Sequence, residues 1–324
     1  MKRLILHIGP HKTGSTYLQG ELLKQRSALA NSGILYPDCM LEMWGHTGLA
    51  NAIKINDVTS YRTELDAINS YNGDVIISSE NFFNMNAEQI EALAALFKAE
   101  EVILVAFFRQ PTIRLVSLWH EFVKSGMPKS YSEFVIPHIT RPVRSFELNI
   151  LGKINIFKKA FRNPDVRIVD YEKAVAEKST IKSFFKSVGF GENIPIQENW
   201  NEVNKRVNFK DIEVLRCLNV LASDRNSLSG HKLRMSYFSN RKMFSEVLSD
   251  HIFPIMSKHM EPISVGVTYT DKILLDLIDR QFPEAIDRTR AAETEVVFIA
   301  QSNWLFEDDV IPELRNIYDG LCAL

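Results

Sequence analysis

The residues best suited to chemistry lie in a short polar turn near the start of the chain, between Gly9 and Thr16. The turn contains Lys12, Gly14 and the hydroxyl side chains of Ser15 and Thr16. It follows an apolar run and precedes residues with helical spacing. The first backbone N–H groups of a helix have no acceptor inside it and converge on one point, which suits an anion. Together with the lysine charge and the hydroxyl donors, this pattern predicts a phosphate-binding loop.

The two glycines of this turn have the spacing of the nucleotide-hydrolase phosphate loop, but the lysine is displaced. That loop reads GxxxxGK[ST], with the lysine directly after the second glycine. Here Ser15 follows Gly14, and Lys12 lies two residues before that glycine. A lysine inside the turn points at a group carried by a single phosphate. The loop therefore suits one 5′-phosphate with a transferable group better than a triphosphate with Mg²⁺.

The segment His7–Gln19 carries the pattern His-Ile-Gly-x-x-Lys-Thr-Gly-[Ser/Thr]-Thr-x-Leu-Gln. It resembles the 5′-phosphosulfate loop of sulfotransferases that use 3′-phosphoadenosine 5′-phosphosulfate (PAPS), in the form found in the bacterial branch of that family. The resemblance implies a P-loop-like α/β fold, PAPS as co-substrate and 3′,5′-ADP (PAP) as product. The sequence has no HExxH and its other histidines form no pair at metal-ligand spacing, so no metal is expected. The resemblance also implies that Lys12 stabilises the leaving phosphate oxygen. The residues it assigns to the 5′-phosphosulfate are His11, Lys12, Thr13, Gly14, Ser15 and Thr16.

The family holds the 3′-phosphate with an arginine at a strand end and a serine eight residues later. Arg109 directly follows the apolar run Val102–Phe108, and Ser117 comes eight residues after it. Ligands of open α/β sheets bind at this end of the strands, and a guanidinium matches phosphate oxygens with two parallel N–H bonds. Pro111 suits a first helical position, which would place Ser117 two turns into a helix. The resemblance assigns Arg109 and Ser117 to the 3′-phosphate.

Sulfuryl transfer also needs a base for the acceptor hydroxyl or amine, and two residues are candidates. His46 follows Gly45 as in the bacterial branch, and histidine titrates near neutrality. Glu80 comes just after the apolar run Asp74–Ser78, at the expected active-site edge. A loop histidine and a helix-capping carboxylate are the ordinary alternatives. The sequence does not decide between His46 and Glu80.

Tyr171-Glu172 follows the apolar run Val166–Val169. This resembles the family's strand that ends in Tyr-Glu, and it implies that Tyr171 lies near the adenine. The alternative is a core tyrosine whose hydroxyl is satisfied within the protein.

These residues need a scaffold, and the surrounding pattern predicts one. Continuous apolar runs suit strands that are covered on both faces, and amphipathic segments lie between them. The predicted strands are Leu4–Ile8, Asp74–Ser78, Val102–Phe108 and Val166–Val169, and the predicted helices between them are Thr16–Leu29 and Ala87–Ala99. The alternation predicts an α/β fold with a mostly parallel central sheet flanked by helices.

The last third of the chain has a different, mainly helical character. The predicted elements there are helices Phe209–Leu221, Ser239–Phe253 and Asp271–Phe282 and the short strand Val296–Ile299, and the predicted loops are Gly126–Pro142 and Asn193–Asn208. No Pro/Gly/Ser-rich linker separates this part. We therefore expect a single domain over residues 1–324, with an α/β nucleotide-binding core in 1–200 and a helical extension in 201–324.

The C-terminal part departs from the family pattern. Arg206 stands where the bacterial branch has a serine, and the sequence has no glycine-rich basic loop like the one that closes the 3′-phosphate site in cytosolic eukaryotic enzymes. A basic cluster could form a lid over the 3′-phosphate, a patch for an anionic glycan, or only a solvated helix face. Its members are Lys232, Arg234, Arg241 and Lys242.

Composition narrows the class of protein. The 324 residues include 38 Lys and Arg against 40 Asp and Glu, a net charge of −2, and 45% are hydrophobic. These values are typical of a globular protein and disfavour a nucleic-acid partner. The three scattered cysteines favour a reducing compartment, and the apolar runs are too short for a signal peptide or a stable membrane insertion. We expect a cytoplasmic protein.

The sequence thus predicts a PAPS-dependent sulfotransferase that moves a sulfuryl group to a hydroxyl or amine acceptor, with a small molecule or a glycan, including a glycolipid, as the acceptor class. Two alternatives stay open. One is a P-loop kinase or NTPase-like nucleotide-binding protein, and Mg²⁺-dependent ATP binding would indicate it. The other is a catalytically inactive sulfotransferase-like module, which would bind the nucleotide without transfer. The sequence does not set the oligomeric state.

Overall fold

The computed structural model describes residues 1–191, 207–225, 228–283, 285–287, 294–307 and 309–324. The strands in these ranges are β1 (Arg3–His7), β2 (Ile34–Leu35), β3 (Asp74–Ser78), β4 (Glu101–Phe108), β5 (Asp165–Asp170), β6 (Met260–Val265) and β7 (Glu295–Ala300). The first five form one sheet in the order β2-β3-β1-β4-β5, and every pairing in it is parallel. Strands β6 and β7 form a separate antiparallel pair. The α/β fold with a parallel central sheet is confirmed.

Helices make up most of the rest of the described chain. Those described are α1 (Ser15–Lys24), α2 (Arg26–Asn31), α3 (Thr47–Lys54), α4 (Arg62–Ser70), α5 (Ala87–Ala95), α6 (Pro111–Lys124), α7 (Tyr131–Ile139), α8 (Ile150–Ala160), α9 (Tyr171–Ala176), α10 (Thr180–Ser187), α11 (Phe209–Arg225), α12 (Gly230–Asn240), α13 (Phe253–Lys258), α14 (Tyr269–Gln281) and α15 (Val310–Cys322). Short 3₁₀ helices span Val58–Tyr61, Glu80–Asn84, Pro142–Arg144, Arg241–Phe244 and Ser302–Phe306, and a π-helix spans Val247–Ile252.

The central strands are buried on both faces, which explains their continuous apolar sequences. In β1, Leu4 and Leu6 belong to one hydrophobic core, whereas Ile5 belongs to the other. The first core also contains side chains of α3, α4, α5 and α8, and the second contains side chains of α1, α2 and α10. Alternate side chains of a strand point to opposite faces, so helices cover both sides of the sheet. This arrangement fixes the strands that carry the candidate site.

The carboxyl ends of the strands meet at one edge of the sheet because the strands are parallel. His7 at the end of β1 is in register with Ser78 at the end of β3. Phe108 at the end of β4 is in register with Asp170 at the end of β5. The residues that follow these four strands are therefore neighbours in space, although they are distant in sequence.

The four predicted strands are confirmed to within one residue at each end, whereas several predicted helices and loops differ from the structure. The predicted helix Thr16–Leu29 is interrupted at Gln25, between α1 and α2, and the predicted helix Ala87–Ala99 ends at Ala95. The predicted loop Gly126–Pro142 contains α7, which a capping box between Ser130 and Glu133 starts.

In the last third, the prediction of one helix over Ser239–Phe253 is wrong. The end of α12, a 3₁₀ helix and a π-helix occupy this range. This part is also not purely helical, since β6 pairs with β7, the strand that contains the predicted run Val296–Ile299. Of the predicted loop Asn193–Asn208, residues 193–206 lie outside the described residues, and so does the position of Arg206.

The described chain forms two compact units. One consists of residues 1–110, 146–191, 271–283 and 285–287, and it holds the five-stranded sheet. The other consists of residues 111–145, 207–225, 228–270, 294–307 and 309–324. One division between the units lies between residues 191 and 207, near the expected boundary at 200, and others lie at 110/111, 145/146 and 270/271. The expectation of a single domain stays a prediction. Among the described helices, none combines the length and apolarity needed to cross a bilayer.

Candidate functional site

The loop between β1 and α1 has an unusual backbone that turns its residues around one point. Gly9, Lys12 and Gly14 all have positive φ, at 88°, 68° and 80°. The Thr13 hydroxyl closes the turn by donating a 2.6 Å hydrogen bond to the carbonyl of Pro10, and the Gly9–Pro10 peptide is cis. Glycine adopts positive φ without steric cost, whereas Lys12 does so in spite of its side chain. The sequence pattern therefore forms a tight turn that leads directly into a helix.

The first turn of α1 has the features of an anion site. The N-cap is Gly14, which provides no side-chain cap, and the turn contains no acidic residue. Ser15 is 5% exposed, and its Oγ is buried without a hydrogen-bond partner among the described residues. A buried polar atom without a partner is costly, and a phosphate oxygen would satisfy it. The loop therefore suits a phosphate group.

Arg109 reaches this loop from the end of β4. Its Nη1 donates a 2.8 Å hydrogen bond to the carbonyl oxygen of Lys12. Its guanidinium carbon lies 5.1 Å from the centre of the Tyr171 ring, over the ring face. The same ring packs against the loop, since a Cβ on Gly14 would lie 3.0 Å from Tyr171 Cε2. The structure thus brings together Arg109, Tyr171 and the predicted phosphate loop.

Glu172 completes this group and was not predicted as a site residue. Its carboxylate accepts hydrogen bonds from the backbone N–H of Gln110 at 3.2 and 3.3 Å, one to each oxygen. Its Oε1 lies 3.7 Å from Arg109 Nε. Burial raises the pKa of Glu172 to about 7, although the Arg109 charge opposes the shift. The sequence feature that could have indicated Glu172 is its position just after β5, which pairs with β4, the strand that Arg109 follows.

Glu80 lies on the other side of the loop, at the start of a 3₁₀ helix after β3. A Cβ on Gly9 would lie 3.0 Å from the Glu80 backbone, so the glycine allows close packing here. Gln19 of α1 donates from Nε2 to Glu80 Oε2 at 2.7 Å. The carboxylate is half-buried rather than enclosed. Glu80 is thus a solvent-accessible carboxylate beside the loop, and the Gln19 amide fixes its orientation. Gln19 was not predicted from the sequence.

His46 has a different environment. It has no exposed surface, its ring Nδ1 accepts a 3.1 Å hydrogen bond from the backbone N–H of Ser78, and its backbone N–H donates to the Ser78 carbonyl. Its ring packs edge-on against Tyr36 at 4.9 Å between centroids. Burial lowers the pKa of His46 to about 4. A fully enclosed imidazole cannot touch an acceptor in this conformation.

The remaining predicted residues lie at different places relative to the loop. His11 Nε2 lies 3.0 Å from Asn84 Nδ2, at the end of the 3₁₀ helix that Glu80 begins. Thr16 is half-buried in the first turn of α1. Ser117 lies in α6, eight residues after Arg109 and within the second unit, and is half-buried. Its assignment to the 3′-phosphate stays a prediction.

The basic cluster is only partly a row of unpaired charges. Arg241 donates from Nε to Asp211 Oδ1 at 2.5 Å, and Tyr237 donates to the same oxygen at 2.9 Å. Lys232 and Lys242 are exposed. Within the described ranges, no three His, Cys, Asp or Glu side chains come together as a metal site, and metal-independent chemistry stays a prediction.

Comparison with known proteins adds little to this geometry. No protein-family model matches the sequence, and no curated protein matches it. A crystal structure of a sulfotransferase from Alicyclobacillus acidocaldarius is similar over 68% of this chain and 96% of its own, with 10% sequence identity and a TM-score of 0.41. This likeness is too distant to carry a functional argument.

Proposed function

We propose that the protein is a sulfotransferase that uses PAPS and transfers its sulfuryl group to a hydroxyl or amine acceptor. One observation carries the proposal: the hydrogen bond from Arg109 to the carbonyl of Lys12. It joins a strand-end guanidinium to the loop that precedes an uncapped helix. Two cationic groups and a helix N-terminus around one loop suit a ligand with two separate phosphate groups. The resemblance of the loop to the bacterial sulfotransferases supports the same conclusion.

Each residue has a role that follows from its chemistry. PAPS would supply the sulfuryl group, and 3′,5′-ADP would be the product. The residues proposed to hold the 5′-phosphosulfate are His11, Lys12, Thr13, Gly14, Ser15 and Thr16. Arg109 and Ser117 would bind the 3′-phosphate, and Tyr171 would contact the adenine. The Lys12 ammonium would stabilise negative charge on the leaving phosphate oxygen.

Glu80 is the proposed base. Its carboxylate is oriented by the Gln19 amide and stays accessible to solvent, so it can accept the proton of an acceptor hydroxyl or amine. The exposed Asn84 and half-buried His11 lie near the same 3₁₀ helix, and their polar groups suit an acceptor rich in hydroxyls. We therefore propose a small polar molecule or a glycan as the acceptor.

Calorimetric titration tests the proposal with three ligands: 3′,5′-ADP, 5′-AMP and ATP with Mg²⁺. We expect 3′,5′-ADP to bind much more tightly than 5′-AMP, because only the former carries a 3′-phosphate. Arg109→Ala should remove most of this difference, since one charged hydrogen-bond partner contributes about 1.5–3 kcal/mol. Preference for ATP with Mg²⁺ would overturn the proposal in favour of a kinase or NTPase. Tight 3′,5′-ADP binding without transfer to any acceptor would indicate the inactive module.

A further inference from the structure

A carboxylate lies directly against the arginine that is proposed to bind the 3′-phosphate, which is an uncommon neighbour for an anion site. Glu172 is 23% exposed, and Arg109 is 10% exposed. The carboxylate holds the chain just after Arg109 through both bonds to the Gln110 N–H, and its Oε1 lies 3.7 Å from Arg109 Nε. Glu172 therefore contacts both the side chain of Arg109 and the backbone that sets its direction.

The contacts of the guanidinium include a hydrogen bond, a ring and a carboxylate. The Lys12 carbonyl accepts a hydrogen bond from Nη1, the Tyr171 ring lies under the guanidinium, and Glu172 approaches Nε. Arginine side chains are long and lose much rotational freedom when they are fixed. A guanidinium fixed before the ligand arrives binds phosphate with a smaller entropic cost.

We propose that Glu172 is the positioning residue that orients Arg109 for the 3′-phosphate, and that it takes up a proton when this phosphate binds. The inference rests on the proposed function and adds a residue and a proton to it. An incoming phosphate competes with Glu172 for the guanidinium and brings further negative charge close to the carboxylate. Both effects favour the neutral carboxylic acid over the carboxylate.

The charges around Glu172 agree with this behaviour. Burial raises the pKa of Glu172 to about 7, the Arg109 charge lowers it, and the nearby Asp170 carboxylate raises it. Asp170 is itself fixed by the backbone N–H groups of Lys173 and Asp287. Glu172 therefore changes protonation near neutral pH in the free protein. If the 3′-phosphate reduces the effect of Arg109, the pKa of Glu172 rises further, and a proton enters from solvent.

The linkage fixes the sign of the pH dependence. A group that is more protonated in the complex strengthens binding as pH falls, by at most tenfold per pH unit for one proton. We expect the affinity for 3′,5′-ADP to rise several-fold between pH 8 and pH 7. Proton uptake should be measurable at pH 7.5–8, where the ligand's phosphates, with a second pKa near 6, are already ionised. Protons taken up in that range therefore enter the protein.

Calorimetry of the full-length protein in two buffers of different ionisation enthalpy measures this uptake directly. We expect wild type to take up a substantial fraction of a proton with 3′,5′-ADP, and Glu172→Gln to take up much less. Glutamine keeps an acceptor for the Gln110 N–H but cannot titrate. A merely structural role for Glu172 would leave the proton count unchanged, and equal uptake by wild type and Glu172→Gln would overturn the inference.

A ligand comparison in the wild type provides a second measurement if Glu172→Gln does not fold. Because 5′-AMP lacks the 3′-phosphate, its binding should take up clearly fewer protons than that of 3′,5′-ADP at pH 7.5–8. Equal proton uptake with both ligands would contradict the inference. Failure of the proposed function has a different outcome, since 3′,5′-ADP would then show no preference over 5′-AMP in affinity.

Discussion

At the scale of single residues, Lys12 combines the proposed charge stabilisation with a backbone conformation that side chains rarely adopt. Its φ of 68° lies in the left-handed region, which costs a residue with a Cβ about 1 kcal/mol or more relative to glycine. Such strain persists where surrounding contacts impose it, and here the Arg109 side chain and the Thr13–Pro10 bond hold the same turn. The lysine side chain is therefore kept at this position at some cost in stability.

This cost allows a prediction that separates catalysis from folding. Lys12→Gly should raise the free energy of unfolding by about 1 kcal/mol because it removes the strain. Both Lys12→Gly and Lys12→Ala should lower the transfer rate by roughly 10²–10³, the usual effect of removing one transition-state donor. Urea unfolding and a single-turnover transfer assay measure the two quantities. A transfer rate within a few-fold of wild type in both variants would refute the role of Lys12.

Glu80 and His46 are the two candidates for the base, and substitutions of each distinguish them. Glu80→Gln keeps a side chain of similar shape next to Gln19 but cannot accept a proton, so the rate should fall by roughly 10²–10⁴ while 3′,5′-ADP still binds. His46→Gln should instead mainly lower the free energy of unfolding by about 1–3 kcal/mol, because a buried histidine that bonds the Ser78 N–H is lost. The transfer rates of the two variants are compared on folded protein at matched nucleotide occupancy. The reverse pattern would make His46 the base.

At the scale of elements, two buried histidines contact Ser78, the last residue of β3. His7 lies at the end of β1, and His46 directly precedes α3. His7 Nδ1 lies 2.8 Å from Ser78 Oγ, and His46 bonds the Ser78 backbone. Burial lowers the pKa of each to about 4, and for His7 the Glu80 charge opposes the shift. Their ordinary pKa is about 6.5. The unfolded chain therefore binds more protons than the native protein between pH 6.5 and pH 4.

The contribution of these histidines to the free energy of unfolding is therefore fully present above pH 6.5 and is lost as pH falls towards 4. We expect each histidine to lower the free energy of unfolding by roughly 2 kcal/mol between pH 7 and pH 5. Urea unfolding at both pH values measures the change. His7→Asn, which cannot titrate, is the control and should remove about half of the histidine contribution. An unchanged pH slope in that variant would show that His7 does not contribute.

The elements that the sequence predicted well are those in which local pattern and burial agree. The central strands lie between two helical layers, so their continuous apolar runs match the structure. The α7 helix was missed because Pro128 and Pro137 resemble loop residues, although its capping box, Ser130 and Glu133, was visible. The β6 strand was missed because Pro262 interrupts its pattern, which a strand with a single partner tolerates.

Some residues of the candidate site could be predicted from the sequence, and others could not. The loop at Lys12 and the arginine at Arg109 follow predicted strands directly, so the sequence alone predicted that they lie at the same edge of the sheet. Gln19 and Glu172 act through neighbours that are distant in sequence, at Glu80 and Arg109. Their roles depend on how α1 docks and on the pairing of β4 with β5. A single sequence does not specify that pairing.

At the scale of the whole molecule, the two compact units are interleaved along the chain. The chain passes from one to the other at 110/111, 145/146 and 270/271, and again between 191 and 207 and between 287 and 294. Each unit is thus assembled from segments separated by parts of the other. Because neither corresponds to a continuous stretch that could be expressed alone, we expect the chain to unfold in one step, as predicted for a single domain.

Calorimetric unfolding tests this expectation and the nucleotide site together. We expect one transition in which the calorimetric and van't Hoff enthalpies agree. Adding 3′,5′-ADP at 100 times its Kd should stabilise the native state by about 2.7 kcal/mol. For 324 residues, with an unfolding entropy of about 2.1 cal/mol/K per residue, this raises Tm by about 4 °C.

The same concentration of 5′-AMP is the control and should shift Tm much less. Two separate transitions, with only one shifted by 3′,5′-ADP, would contradict the single domain while keeping the nucleotide site. A single transition that neither ligand shifts would contradict the site while keeping the domain.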